Sequence, residues 1–198
     1  MAGFKIELDG VDESFAKLDS KELIAAIQKE LSIFGEATVA DAKQLAPVNE
    51  GRLRNAIQYT QVSPLAIEIM VNVDYAAYVE FGTRKFAAAY VSTLPPDWQA
   101  FAQTFKGTGT GGSFEDFVLK LVKWVQNKGI GQTFDITTHK RDKIGKQSHA
   151  TTDYATAYQI ARWIVIMGIR PHPYLYPAFQ KNKIVFLNKL KELLRARY

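Results

Sequence analysis

Apolar and polar residues alternate over residues 3–8, where Phe4, Ile6 and Leu8 stand against Lys5 and Glu7. A period of two is that of a half-buried strand, and Asp9-Gly10 supplies a turn behind it. The period then changes. Asp19 offers an N-cap oxygen with Glu22 three residues on, and Leu23, Ile27, Leu31, Phe34 and Leu45 follow at helical spacing. The helix is expected to end at Ala46, because Pro47 disfavours helical geometry in the residue before it. Some 26 residues at about 1.5 Å each make a rod of roughly 39 Å, long enough to cross a whole domain.

Past Asn49-Glu50-Gly51, residues 53–62 open with a short amphipathic turn and become strand-like at Tyr59-Thr60-Gln61-Val62. Ser63-Pro64 makes a turn, and Ile67, Ile69, Val71 and Val73 then alternate with Glu68, Met70 and Asn72. The two arms predict an antiparallel hairpin with one inner face. Tyr75, Tyr78 and Val79 predict a short helix over 75–81, stopped by Gly82 at a position where positive φ is common. From Arg84 to Ser113 the pattern weakens. Leu94-Pro95-Pro96 breaks the chain, Trp98, Phe101 and Phe105 keep a helical spacing, and the stretch as a whole reads as a mobile loop ending in glycines 107–112.

Ser113 and Asp116 form a capping box before Phe117, Leu121, Trp124 and Val125, with Gly129 as the stop. Residues 131–150 are polar and weakly patterned, a second expected mobile segment. A further helix is predicted over 152–167 on Ala155, Tyr158, Ala161, Trp163 and Ile164, closed by Gly168. Arg170-Pro171-His172-Pro173 is an extended turn, and a last helix runs from Tyr174 to Arg197 on Leu175, Phe179, Phe186, Leu190 and Leu194. The fold class is therefore α+β, a small antiparallel sheet with a long helix packed across it, a helical insertion and a C-terminal helix. The chain is read as a single domain over 1–198, with a core of 1–83 and 166–198 and an insertion over 84–165 that holds two helices.

The 198 residues, 47% hydrophobic and 23% charged, exclude a disordered or collagen-like chain. The absence of Cys excludes disulfides, thiol catalysis and thiolate metal sites. No stretch is long and apolar enough for a membrane span, and the first dozen residues lack the pattern of a signal peptide, so the product is expected to fold in the cytoplasm. Net charge is +5 and its placement is informative. Lys181, Lys183, Lys189, Lys191, Arg195 and Arg197 stand against Glu192 alone, and a second cluster, Lys140, Arg141, Lys143 and Lys146, faces Asp142. Such patches serve nucleic acid, an acidic protein surface or solvent.

Candidate chemistry is sparse. Glycines 107, 109 and 112 satisfy G-x-G-x-x-G, but a dinucleotide site needs a strand immediately before it and a βαβ unit around it, and neither is patterned here. His139, His149 and His172 lie ten and 23 residues apart, with no metal-ligand spacing. No G-x-S-x-G elbow occurs. Glu80, inside the apolar run 75–82, reads as a buried, hydrogen-bonded carboxylate holding the following loop rather than as a general base. Trp98, Trp124 and Trp163 read as core or interface packing. No catalytic, cofactor-binding or metal residue is assigned, and the chain is not expected to be an enzyme.

Three segments in order, 46–57 (APVNEGRLRNAI), 73–83 (VDYAAYVEFGT) and 168–179 (GIRPHPYLYPAF), give the chain a family resemblance. It resembles the tail-completion proteins of long-tailed bacteriophages and prophages, also called head-tail joining, neck or minor tail proteins. The resemblance implies a virion structural subunit that forms a ring, a hexamer, with copies of itself and joins tail to head. Its implied neighbours are head-completion and tail tube or terminator proteins, with DNA contact only transient and no cofactor. The matching architectural residues are Pro47, Gly51, Arg52, Leu53, Tyr75, Tyr78, Glu80, Phe81, Gly82, Thr83, Pro171, Pro173, Tyr174, Leu175 and Pro177. Lys189, Lys191 and Arg195 are the candidate partner contacts. The alternative is a nucleic-acid-binding module using the basic C-terminal helix on phosphates.

Overall fold

The computed structural model describes residues 2–7, 21–105, 113–130, 134–135, 140–141 and 146–195. Asp9-Gly10, Asp19, glycines 107–112, His139, Lys143 and Arg197 lie outside them. The chain divides into two compact units, Met1–Lys106 with Arg170–Tyr198, and Gly107–Ile169.

In the first unit, strand β1 (Ala2–Glu7) leads to helix α1 (Lys21–Leu45). The short helix α2 (Arg52–Ala56) then turns the chain into β2 (Ile57–Ser63) and β3 (Ala66–Val71). The sheet is antiparallel with order β1-β3-β2, and Val71 faces Ala2 on one side and Ile57 on the other. The predicted hairpin is present, with a bulge between Gln61 and Ser63. Ile57, Ile67, Ile69 and Val71 are buried on the sheet's inner face. Alternation along β2 and β3 thus creates the apolar surface that α1 covers.

Helix α1 buries Leu23, Ile27, Leu31, Phe34, Thr38, Val39 and Ala42, whereas Leu45, assigned to the same stripe, is exposed at the helix end. Gly35 sits where the helix crosses the sheet. A Cβ there would lie 2.7 Å from Tyr59 Cδ2 and 3.0 Å from Ile67 Cδ1, so the missing side chain sets the helix-to-sheet distance. The last helix, α8 (Leu175–Arg195), packs on α1 through Phe34, whose ring centroid is 5.7 Å from that of Phe179 and 5.2 Å from that of Phe186. Asn182 Nδ2 donates to Asp41 Oδ2 at 2.7 Å, and Lys181 Nζ lies 2.9 Å from the same oxygen. The Lys181 and Asn182 hydrogen bonds hold the Asp41 carboxyl below the usual range. Contacts fall along α8 as they rise along α1, so the two helices are antiparallel.

Three more helices complete this unit: α3 (Ala76–Phe81), α4 (Arg84–Val91) and α5 (Pro96–Gln103). Two expectations are corrected here. Helix α3 buries Ala76, Ala77, Glu80 and Phe81, not the Tyr75, Tyr78 and Val79 stripe; Tyr75 is exposed. Small alanines let the helix approach the core closely, an advantage that an apolar-spacing count overlooks. Nor is 84–105 a loop. Pro95 and Pro96 stand at the N-cap and first turn of α5, where a missing N–H costs nothing, and Leu94 and Trp98 are buried in the same core as Phe81 and Phe179. The stretch assigned to the insertion therefore begins with two helices that belong to the first unit.

The second unit holds α6 (Phe114–Lys128), α7 (Lys146–Met167) and a pair of two-residue strands, β4 (Phe134–Asp135) and β5 (Lys140–Arg141), within the segment expected to be mobile. The capping box forms as read: Asp116 N donates to Ser113 Oγ at 3.1 Å, and Ser113 N donates to Asp116 Oδ2 at 2.9 Å. Gly129 ends α6 at φ 61°. The core of this unit is Val118, Val125, Ala157 and Ala161. Ala155, Tyr158 and Trp163, placed on the inner stripe by spacing, are exposed instead. Helix α7 is apolar on several sides between Ile160 and Met167, so periodicity did not distinguish its faces, and alanines take the close contact. Among the described residues no helix is long and apolar enough to cross a membrane.

Candidate functional site: a carboxylate-capped helix junction

Prolines at 171, 173 and 177 leave only four backbone N–H donors in the segment 171–177. All four are taken by two consecutive residues of α3. His172 N donates to Val79 O at 2.7 Å. Tyr174 N and Leu175 N each donate to Glu80 Oε2 at 2.8 Å, and Tyr176 N donates to Glu80 Oε1 at 2.9 Å. The first turn of any helix has unpaired N–H groups and a partial positive charge. Here a carboxylate from 94 to 96 residues earlier in the chain supplies the cap of α8.

Glu80 is 2% exposed. Burial raises its carboxyl above the usual carboxylate range, against the three backbone donors that lower it. Burial, followed by the Glu80 charge, also raises the phenols of Tyr90 and Tyr174. Both Glu80 oxygens are occupied by main-chain donors, an arrangement that fixes the backbone at 174–176 rather than presenting a base to a ligand. The sequence reading of Glu80 as buried and hydrogen-bonded holds, but its partner is the start of α8 and not the loop that follows it.

An aromatic cluster backs the junction. Trp98 is fully buried, with ring centroids 4.9 Å from Tyr176, 5.7 Å from Phe179, 5.8 Å from Phe101 and 6.4 Å from Phe81. Tyr174 and Leu175 are buried beside Glu80. Neither Trp98 nor Tyr176 was singled out as part of this site by sequence; the signal available was the run of three prolines, which leaves few donors and a stiff segment at the start of α8.

Gly82 has φ 74° and ψ −168°, and its N–H donates to Tyr78 O at 3.0 Å. That combination is essentially restricted to glycine. It ends α3 after Phe81 and lets α4 start from its N-cap, Thr83. Gly82→Val should therefore cost about 1–3 kcal/mol, read as a lower thermal midpoint; an unchanged melt would show that the backbone relaxes freely there.

Of the remaining candidates, Leu53 is buried beneath the hairpin, Gly51 holds φ 76° ahead of α2, and Pro47 and Arg52 are at the surface. Lys189 Nζ is bound to Glu192 Oε2 at 2.7 Å within α8, while Lys191 and Arg195 are exposed. The three candidates thus differ, with Lys189 already engaged. Among the described residues no group of His, Asp and Glu is placed to hold a metal ion.

Residues 9–82 match the family model described as "Bacteriophage HK97-gp10, putative tail-component". Over this stretch the chain is similar to the HK97-gp10-like tail components. The match contains α1, the hairpin and α3, and ends at Gly82, so it includes Glu80. The Pro-x-Pro segment lies outside the HK97-gp10-like region, yet the Glu80 carboxylate ties it to that region. No curated protein and no solved structure matches the chain.

Proposed function

We propose that the protein is a virion structural subunit that closes into a ring, a hexamer, at the top of the phage tail and joins tail to head without catalysing a reaction. The observation that carries this reading is the HK97-gp10-like region. The junction supports it: the buried Glu80 carboxyl ties α3 to the start of α8, which suits a part that must keep its shape under assembly. The partners are other copies, the tail tube or terminator protein below, and a head-completion protein above, with DNA passing and touching only transiently.

Light scattering of the purified chain, alone and with the tail tube protein, should give the mass of a closed ring in at least one condition. Particles made without the protein should accumulate as separate heads and tails that join when it is added back. A strict monomer in both conditions, or normal joining without the protein, would overturn the reading.

A further inference from the structure

The Glu80 junction also sets two basic segments side by side. One begins just after Gly82, where Arg84 and Lys85 open α4. The other is Arg170-Pro171-His172, whose His172 N–H is held by Val79 O at 2.7 Å. Phe86 joins them, because Lys85 Nζ lies 5.3 Å and Arg170 Cζ 5.6 Å from the centroid of its ring. Two cations thus converge on one half-buried ring, with the exposed Arg84 next to Lys85 in the chain.

Little of this serves the fold. A helix start favours acidic side chains, yet the first turn of α4 holds none and carries two bases. Arg84 has φ 53°, the one positive value at a residue other than glycine among those described, a conformation that costs backbone energy. Like charges around one ring repel, and among the described residues neither Arg84 nor Arg170 forms an ion pair. Glu80 is buried and taken up by main-chain donors, and Asp74 and Asp97, the acids on either side of α3 and α4 in the chain, pair with none of the three.

We infer that Lys85 and Arg170, set around Phe86 with Arg84 beside them, contact the phosphate backbone of double-stranded DNA. The inference rests on the reading of the chain as a tail subunit, past which DNA moves. The make-up of the patch selects phosphate over a protein surface. The exposed residues of α4 and of 170–173 are Arg84, Lys85, Ala88, Ala89, Arg170 and His172, so cations stand among small and polar neighbours with no large apolar centre. A protein interface is built round such a centre, whereas a DNA interface is polar and strongly positive. The ring orients both charges beforehand, and Pro171 restricts the backbone of Arg170, so little freedom is lost when phosphate binds. On α8, by contrast, Lys181 and Lys189 already face Asp41 and Glu192. Phosphate contacts carry no sequence preference and weaken steeply with salt, which suits a surface that DNA slides past.

Fluorescence anisotropy with the full chain and short labelled duplexes of two unrelated sequences tests this at low salt. Both duplexes should bind equally, with affinity falling steeply as salt rises. The double variant Lys85→Gln, Arg170→Gln should melt like the wild type and bind roughly tenfold more weakly or worse, whereas Lys191→Gln, Arg195→Gln should stay within about twofold of wild type. In the wild type, duplex should protect Lys85 from acetylation more than Lys191, a readout that needs no variant. No binding at low salt, preference for one duplex, undiminished binding by the first variant, an equal loss in the second, or no protection of Lys85 would each overturn the inference. So would binding to polyglutamate as tight as to duplex, which points instead to an acidic protein. If heads and tails join without the protein while Lys85 and Arg170 still govern duplex binding, the joining role fails and the DNA contact stands.

Discussion

Glu80→Ala should lower the melting temperature by roughly 6–20 °C, one of the two largest effects expected of any single substitution in this chain. The variant removes the acceptor for three main-chain donors that lie in or beside the buried core. Prolines on either side leave the segment little freedom to rearrange, and burial keeps water from replacing the carboxylate. An orphaned buried donor costs about 1–3 kcal/mol, and with partial relaxation the three together amount to about 3–5 kcal/mol, the range reserved for the loss of a buried network. For a chain of this size each kcal/mol moves the midpoint by about 2–4 °C.

Glu80→Gln separates charge from shape. Its single carbonyl oxygen can keep the Tyr174 and Leu175 donors, while its amide turns a donor toward Tyr176 N–H. An intermediate loss of about 1–3 kcal/mol is expected. If alanine and glutamine behaved alike and both were mild, Glu80 would be a bystander and α8 would be held by its apolar stripe alone. Thermal melts followed by circular dichroism decide this, and amide exchange at 174–176 should accelerate in both variants.

How far the chain was legible depends on the range of each interaction. The capping box at Ser113, the stop before Pro47, the hairpin at Ser63-Pro64 and the stripe of Leu175, Phe179 and Phe186 are local patterns, and each appears where spacing placed it. Glu80 was recognisable as a buried carboxylate because it sits in an apolar run. Its partners were not, since a bond spanning more than ninety residues leaves no periodic trace in the sequence. The inner faces of α3 and α7 were misassigned in part: Ala161 is buried as its spacing placed it, but Ala76, Ala77 and Ala157 make close contacts that the spacing passed over in favour of the tyrosines and Trp163. Gly35 was overlooked similarly, its role being the space it leaves for Tyr59 and Ile67.

The clearest departure from the sequence pattern is 84–105, and it leads to the second large effect. Trp98→Ala should destabilise the protein by about 3–5 kcal/mol, the usual range for truncating a large buried aromatic residue. Trp98 has no exposed surface and sits among Phe81, Phe101, Tyr176 and Phe179. Its removal opens a cavity directly behind the Glu80 junction. Phe81 is adjacent to Glu80 in α3, and Tyr176 supplies one of the three donors, so slackening there should also loosen the cap. The Trp98→Ala and Glu80→Ala losses should then fall short of additive, because neighbours in one network share their energy. A double-mutant cycle measured by denaturant unfolding checks this. Were 84–105 the weakly packed connector that its sequence pattern suggests, Trp98→Ala would lie within about 0.5 kcal/mol of wild type, as surface substitutions do, and limited proteolysis would cut there first. A large loss, protection of 84–105 from protease and a cycle coupling of about 0.5–3 kcal/mol would together place α5 in the same cooperative unit as the HK97-gp10-like region, carrying the fold's frame past the residue where the family match ends.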